Sequence, residues 1–394
     1  MPWKETNVMD QKIEFVFKSL TQEYTFTDLC KQYAITPKTG YKWQAKFLKD
    51  GIKGLNETSR KPKNNKNQIS ENIVCDLVRI KTLKKSWGPK KIRKVYELAH
   101  QNQKIPSLST VERILKKAGL VTRKKRRKQR EVNRIQNRSI PLSPNDVWTV
   151  DFKGWWYTPF KEKCEPLTVC DEFSKYILSI KILEKGDISC VKHEFEQIFK
   201  TFGLPKVIKS DNGPPFANSH SIFGLTKLAV WWLSLGIILD RIDPGSPYQN
   251  GSHERMHLNI KHELEGKVNG NLIDHQAIFD VWRNEYNNER PHESLGMKTP
   301  SQVYVKSKLK FSGDDEIIDY PKDFKSRQVN DRGYINYSDQ RVFISNAFNG
   351  YNVGLIPKDK DTVSVWFDNN LIGEINKNDF VFKSSLTISK KQIK

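Results

Sequence analysis

The sequence predicts a multidomain α+β protein. Helical helix-turn-helix units stand at the N-terminus, an α/β domain with a mixed sheet follows, and a small β-barrel ends the chain. Three observations lead there. Apolar residues recur at helical spacing through the first 120 positions. From Val147, three β-rich runs are followed by alternating helix and strand signals, the order of an α/β layer. After Gln328, short alternating runs are joined by Asn, Asp and Gly turns.

Taken in order, Ile13, Phe17 and Leu20 fall at i, i+4 and i+7 of a first helix. Phe26, Leu29 and Tyr33 mark a second. Thr36 is the expected N-cap of a third, with Pro37 at its first position and Tyr41, Lys42, Trp43 and Lys46 along it. Two short helices with a tight joint form a helix-turn-helix whose second helix enters the major groove. Residues 70–120 repeat the theme. Ser70 caps a helix with Ile73, Leu77 and Ile80, Pro89 starts another, and a recognition helix runs from Ser109 to Lys117 with Gly119 as C-cap. Lys38, Tyr41, Lys42 and Lys46 in the first unit, and Thr110, Arg113, Lys116 and Lys117 in the second, are the expected DNA contacts. Between this unit and the α/β domain lies RKKRRKQR, with seven basic positions of eight. Arg123, Lys124, Lys125, Arg126, Arg127 and Lys128 are expected to follow phosphates in a salt-dependent way.

The charge agrees with such a partner. The chain of 394 residues carries a formal charge of +22, and its basic residues are clustered, which points to a polyanion and above all to nucleic acid. Five scattered cysteines form no CxxC pair and no Cys/His array, so reduced thiols in a cytoplasmic protein are expected. The N-terminus has no apolar signal core, and the longest apolar run, Leu228 to Leu239, is too short to span a bilayer.

Within the α/β domain three acids stand in unusual surroundings. Asp151 interrupts the strand-like run WTVDFKGWW, although Asp is disfavoured in strands. Asp211 closes the short strand VIKS just before the turn Asn212-Gly213. Glu254 follows the Pro/Gly/Ser-rich loop Asp243 to Ser252 and opens a helix. The strand order should set Asp151 and Asp211 on neighbouring strands, with Glu254 coming across from its helix. Such a trio suits two Mg²⁺ or Mn²⁺ ions, one activating an attacking oxygen and one stabilising a leaving 3′ oxygen. His257 and Lys261 share the helix face of Glu254, and Lys261 is expected on a phosphate. Met256, Ile260 and Leu264 should pack on the sheet. Tyr248, Gln249 and Asn250 are expected to meet a DNA end in a mobile loop. Asn212 should brace its turn. Trp155-Trp156 and Trp231-Trp232 read as core, and Arg290-Pro291-His292 as packing or a DNA-backbone contact.

WTVDFKG, SDNGPPF and GSHERMH resemble the three acid motifs of DDE transposases. The best fit is to bacterial insertion-sequence transposases with a retroviral-integrase-type catalytic core, and YNNERPHESLGMKTP is similar to the box at the end of that core. The resemblance implies an RNase H-like core with Asp151, Asp211 and Glu254 as catalytic metal ligands. It also implies end binding, strand cleavage and strand transfer by a homo-multimer that holds terminal inverted repeats and target DNA in a bacterial cytoplasm, near the nucleoid. One departure is the separation of Asp211 and Glu254, 43 positions, longer than the family pattern, with the excess around Ser219 to Thr226. Glu263 is the other acid on that helix. Two further readings are a non-catalytic DNA-binding regulator and an RNase H-like nuclease. The expected division is 1–58 and 70–122 for the helix-turn-helix domains, 144–308 for the core and 327–394 for the β-rich domain. Linkers at 59–69, 123–143 and 309–326 separate them.

Overall fold

The computed structural model describes residues 7–57, 69–101, 103–121, 139–218, 224–243, 247–313 and 318–384. The basic run 123–128 therefore lies outside the described residues. The chain forms two compact units, Met1–Ile69 and Ser70–Lys394.

In the first unit, α1 (Val8–Thr21), α2 (Phe26–Gln32) and α3 (Pro37–Asp50) are each opened by a capping side chain. Thr36 caps α3 as expected, its hydroxyl accepting from the Thr39 amide at 3.3 Å. Gly40 permits close packing: a Cβ there would stand 2.8 Å from Cys30 Sγ and 2.9 Å from Phe15 Cζ. The buried face of α1 is not the expected Ile13, Phe17 and Leu20. Phe15 and Val16 are buried, whereas Phe17 and Leu20 are half exposed. Two overlapping apolar stripes run along α1; Phe15 packs on Phe26 of α2 and on Tyr33 at its end, with Gly40 of α3 close by, while Phe17 meets Phe47 of α3 and stays half exposed.

The second unit opens with α4 (Glu71–Leu83), α5 (Pro89–Ala99) and α6 (Leu108–Lys117) around Leu77, Trp87, Ile92, Tyr96, Val111 and Leu115. Ser70 occupies the N-cap position without a side-chain capping bond. Ser107 caps α6, and Gly119 follows its Ala118 C-cap at φ 70°.

The central sheet contains β1 (Val147–Phe152), β4 (Pro166–Asp171), β5 (Ile177–Ile182), β6 (Val207–Ser210) and β7 (Ile238–Arg241). A short hairpin, β2 (Trp156–Tyr157) and β3 (Lys163–Cys164), interrupts it after β1. The order is β5-β4-β1-β6-β7: an antiparallel meander on one side, and parallel pairs β1–β6 and β6–β7 on the other. Strand alternation sorts the two faces. Trp148, Val150, Leu167, Val169 and Leu178 pack with Val191, Phe195, Ile198 and Phe199 of α7 (Ile188–Phe202) and with α8 (Lys227–Ser234). Cys170, Ile177 and Ile180 meet Met256, Ile260 and Leu264 of α9 (Gly251–Glu263) and Phe279 and Trp282 of α10 (Leu272–Asn288). Trp156, Trp231 and Trp232 are buried, but Trp155 is 56% exposed, because it lies on the outer face of the small hairpin.

The C-terminal strands correct one expectation. β8 (Lys325–Gln328), β11 (Asn352–Pro357), β12 (Thr362–Phe367), β13 (Asn370–Asn376) and β14 (Phe382–Ser384) form an open antiparallel sheet, order β14-β13-β12-β11-β8. β9 (Tyr334–Tyr337) and β10 (Gln340–Phe343) form a separate hairpin. The edges β14 and β8 do not pair with each other, so there is no barrel. β8 straddles the boundary between the expected linker and the expected β-rich domain, beginning two residues before it. It is exposed throughout and reads KSRQ, so no apolar alternation marks it; its basic residues suit a sheet edge. The apolar side of this region joins the core on the α7–α8 face.

Phe195 is fully buried, with its ring 4.9 Å from Trp232 and 5.4 Å from Phe199. Phe195→Ala is expected to cost about 3–5 kcal/mol, measured as a fall in the urea unfolding midpoint of the full chain.

Candidate active site

The parallel ladder β1–β6 pairs Trp148 with Ile208 and Thr149 with Lys209. Extended by two residues, that register brings Asp151 level with Asp211, on the same face as Thr149. This is the face that meets α9. Glu254 lies in the first turn of α9. Burial raises the Asp151 carboxyl to about 7, and the charges of Asp211 and Glu254 add to that rise. The three acids therefore stand within electrostatic reach of one another. Among the described residues, no group of three or more His, Cys, Asp or Glu side chains stands in metal-ligating geometry. The trio is close, and not drawn in.

Local bonds shape each acid. The Gly213 amide donates to Asp211 Oδ1 at 3.2 Å, and a Cβ at Gly213 would come within 3.1 Å of Asp211 Oδ2. Asn212 braces the turn by donating to the Ile242 carbonyl at 2.6 Å, which ties the end of β6 to the end of β7. Phe216, after the turn, packs at 5.8 Å on Phe152 at the end of β1.

Helix α9 is pinned to the sheet by a network that motif reading did not find. His253 is 1% exposed and bridges two strands, with Nδ1 2.7 Å from Thr149 Oγ1 and Nε2 2.7 Å from Thr168 Oγ1. His257 Nε2 lies 2.8 Å from the same Thr168 hydroxyl, which donates to the Asp151 carbonyl at 2.8 Å. One hydroxyl has one proton, so Thr168 accepts from both imidazoles, and each carries its proton on Nε2. The unprotonated Nδ1 of His257 then faces Asp151 Oδ2 at 3.9 Å. Burial holds both rings neutral: His253 falls well below its usual value, and His257 falls to about 3 with help from Lys153. The only sequence signal was the i, i+4 spacing of the two histidines, which gave no hint of the threonines opposite.

The other expected residues divide. His257 points inward, between sheet and acids. Lys261 is exposed, as are Lys38, Tyr41, Lys42, Arg113, Lys116 and Lys117, while Lys46 and Thr110 are half-buried. Lys46 and Lys42 lie 4.9 Å and 5.8 Å from the Trp43 ring centroid. Gln249 closes the loop on itself by donating to Asp243 Oδ2 at 2.6 Å, and Asn250 is buried. Residues 244–246 and the Tyr248 side chain lie outside the described residues, as do residues 219–223 of the lengthened segment. Glu263 is engaged elsewhere, bonded to Arg290, Trp282 and Ser86.

Models of the "Integrase core domain" match residues 141–247 and 235–300. A "Helix-turn-helix domain" matches residues 11–63, and a "Homeodomain-like domain" matches residues 39–115. The chain thus carries an integrase core domain preceded by helix-turn-helix domains. It is homologous to proteins of bacterial insertion elements. The "Insertion element IS407 uncharacterized 31.7 kDa protein" of Burkholderia multivorans is 26% identical over 241 residues, 60% of this chain and 82% of that protein. The "Insertion element IS476 uncharacterized 39.2 kDa protein" of Xanthomonas euvesicatoria is 28% identical over 212 residues, 53% of this chain and 59% of its own length. Among solved structures, the HTLV-2 integrase catalytic core domain in complex with magnesium is 21% identical, covering 42% of this chain and 99% of that one at a TM-score of 0.33. No helix among the described residues is long and apolar enough to cross a membrane.

Three buried histidines make stability depend on acid. Burial also lowers His292 to about 3. The unfolded chain protonates these rings near 6.5, whereas the folded chain does not until far lower, so their contribution is whole above 6.5 and lost as pH falls towards 3. Asp151 and Asp171, raised rather than lowered, work the other way, but they are two groups against three. Urea unfolding from pH 7 to 4 is expected to lose up to ~1.4 kcal/mol per histidine per pH unit, with a shallower slope in His292→Gln.

Proposed function

We propose that the chain is a DNA transposase. It binds the ends of its element through the helix-turn-helix units, cuts DNA there, and joins the resulting 3′ ends to target DNA at one acid site. The observation that carries this reading is the β1–β6 register, which brings Asp151 level with Asp211 on the sheet face met by α9, where Glu254 lies in the first turn; burial and those two charges together raise the Asp151 carboxyl to about 7. Like charges gathered at a half-buried point oppose folding unless something cationic balances them. The donors are carboxylate oxygens, which suit hard divalent ions, so Asp151, Asp211 and Glu254 fit Mg²⁺ or Mn²⁺, two per site. Bound there, such ions stabilise the charge on the attacking and leaving oxygens of an in-line displacement. Homology to insertion-element proteins supports the same reading.

The chain's own residues do the rest. β1 and β6 fix Asp151 and Asp211 side by side. The bonds from His253 and His257 to Thr149 and Thr168 hold α9, so Glu254 approaches from a helix that cannot roll. Lys261, exposed farther along α9, touches a phosphate beside the reacting one. Lys38, Tyr41, Lys42 and Lys46 on α3, and Thr110, Arg113, Lys116 and Lys117 on α6, contact the end DNA, and Arg123 to Lys128 follow its phosphates. Joining two ends to one target requires two chains or more, so the working form is a homo-multimer on DNA.

Asp211→Asn is expected to bind end DNA as the parent does in a gel shift and to lose at least about a hundredfold in Mg²⁺-dependent cutting. Parent-like cutting by this variant refutes the site assignment. A parent protein that binds ends and never cuts is instead a regulator. Without divalent ions, Asp211→Asn should melt at a higher temperature than the parent, because a repulsion is gone; added Mg²⁺ should raise the parent's melting temperature and leave the variant's unchanged. Lys261→Glu should bind ends and join them about tenfold less, the scale of one lost charge-assisted contact.

A further inference from the structure

Away from the acids, the second helix-turn-helix unit is bolted to the far end of the Glu254 helix. Glu263 is the last residue of α9. Its carboxylate accepts from Arg290 Nη1 at 3.1 Å and Nη2 at 3.0 Å, from Trp282 Nε1 at 2.6 Å, and from Ser86 Oγ at 2.6 Å. Burial pushes this carboxyl up, but Arg290 and the hydrogen bonds outweigh burial and hold it below its usual value. Ser86 belongs to the corner between α4 and α5. That corner is itself rigid, because the buried Lys81 ammonium donates to the carbonyls of Lys85 at 2.6 Å and Trp87 at 2.8 Å. Arg290 is 3% exposed, and its guanidinium carbon lies 5.9 Å from the Trp87 ring centroid and 5.4 Å from that of Tyr286. Trp87 in turn packs with Val111 and Leu115 of α6. More exposed ion pairs surround the joint: Lys84 with Glu285 at 2.8 Å and Glu289 at 3.3 Å, and Lys90 with Glu293 at 2.7 Å.

An unbroken series of packed contacts thus runs from α6 through Trp87, Arg290 and Glu263 to Glu254. The last leg is nine residue steps along α9, about 13 Å. Stability alone accounts poorly for a buried ion pair at this joint, since apolar side chains of similar volume often serve as well or better. Position accounts for it better. Backbone steps in DNA are about 3.4 Å apart on each strand, so a recognition helix on a loose tether would leave the attacked phosphodiester undefined by several nucleotides.

We propose that Glu263 and Arg290 are positioning residues that set where the DNA is cut: the clasp holds α6 at a fixed distance from Asp151, Asp211 and Glu254, and this distance selects the phosphodiester. The inference rests on the reading of the chain as a DNA-cutting enzyme. Affinity for the end and chemistry at the acids are separate from it.

The test uses the full chain, Mg²⁺, and end-labelled duplexes copied from the DNA flanking its gene, with cut positions mapped to the nucleotide. The parent should cut at one position, and one base pair inserted between the α6 footprint and that position should move the cut by one. Glu263→Gln and Lys90→Glu should keep end binding within about threefold and spread the cuts over neighbouring phosphodiesters. The exchange Lys90→Glu with Glu293→Lys should restore a single position. Both of these side chains are more than half exposed, so that arm does not depend on surviving a buried substitution. Cutting by the single variants at the parent's one position, with the parent's sharpness, overturns the proposal. A parent that binds these duplexes and cuts none overturns the enzymatic reading, and the proposal with it.

Discussion

The parallel pairing of β1 with β6 is the constraint on which the site depends. Trp148 opposite Ile208 and Thr149 opposite Lys209 leave no freedom in where Asp151 and Asp211 fall. A slip of one residue would turn Asp151 to the α7 face, among Trp148 and Val150, where an acid has no partner. The apolar residues either side of it hold the register. Val147, Trp148 and Val150 are fully buried, and so are Val207 and Ile208 on the partner strand.

That face then needs a helix, and α9 meets two demands at once. Met256, Ile260 and Leu264 bury against Cys170 and Ile177, which supplies the burial energy. His253 and His257 occupy the strip between this apolar contact and the acids, where the sheet offers threonines instead of aliphatic side chains. Both rings are held neutral by burial, so this polar patch brings no second charge beside Asp151. The acids are thus packed firmly from behind, while Asp151 keeps 27% of its side chain open to the front.

Glu263 shows why one motif residue can mislead. It lies on the same helix as Glu254 and is the fallback by sequence, although it lacks the glycine-rich loop that precedes Glu254. What separates them is Arg290, 27 positions further on, with Trp282 and Ser86. The same contacts give Arg290 a place, where the sequence offered packing or a DNA-backbone contact for Arg290-Pro291-His292. The group's arginine is the centre of a joint between two parts of the chain.

Much of this architecture was legible in the residues. Periodicity located α7 through its face Val191, Phe195, Ile198 and Phe199, because an amphipathic stripe is a local property, whereas α8 is buried on all sides and carries no stripe. Thr36 and Pro37 announced the start of α3 for the same reason, and turn residues marked Asp211 and Glu254 as the ends of elements. Misreadings came where the outcome rests on a distant neighbour. α1 offered two stripes, and packing against α2 and α3 together selected Phe15 and Val16. β8 carries no pattern because its partner β11 supplies the pairing. The last strands alternate as a barrel would, but closure depends on whether the edges meet, and they do not. Residue order by itself gave the elements of the core, the basic character, and Asp151, Asp211 and Glu254 as candidate acids, with Glu263 as the other choice on the same helix. Tertiary structure decided which of two glutamates faces Asp151, which histidines brace it, and what Arg290 holds, because these depend on groups brought together across the chain by burial rather than by neighbouring sequence.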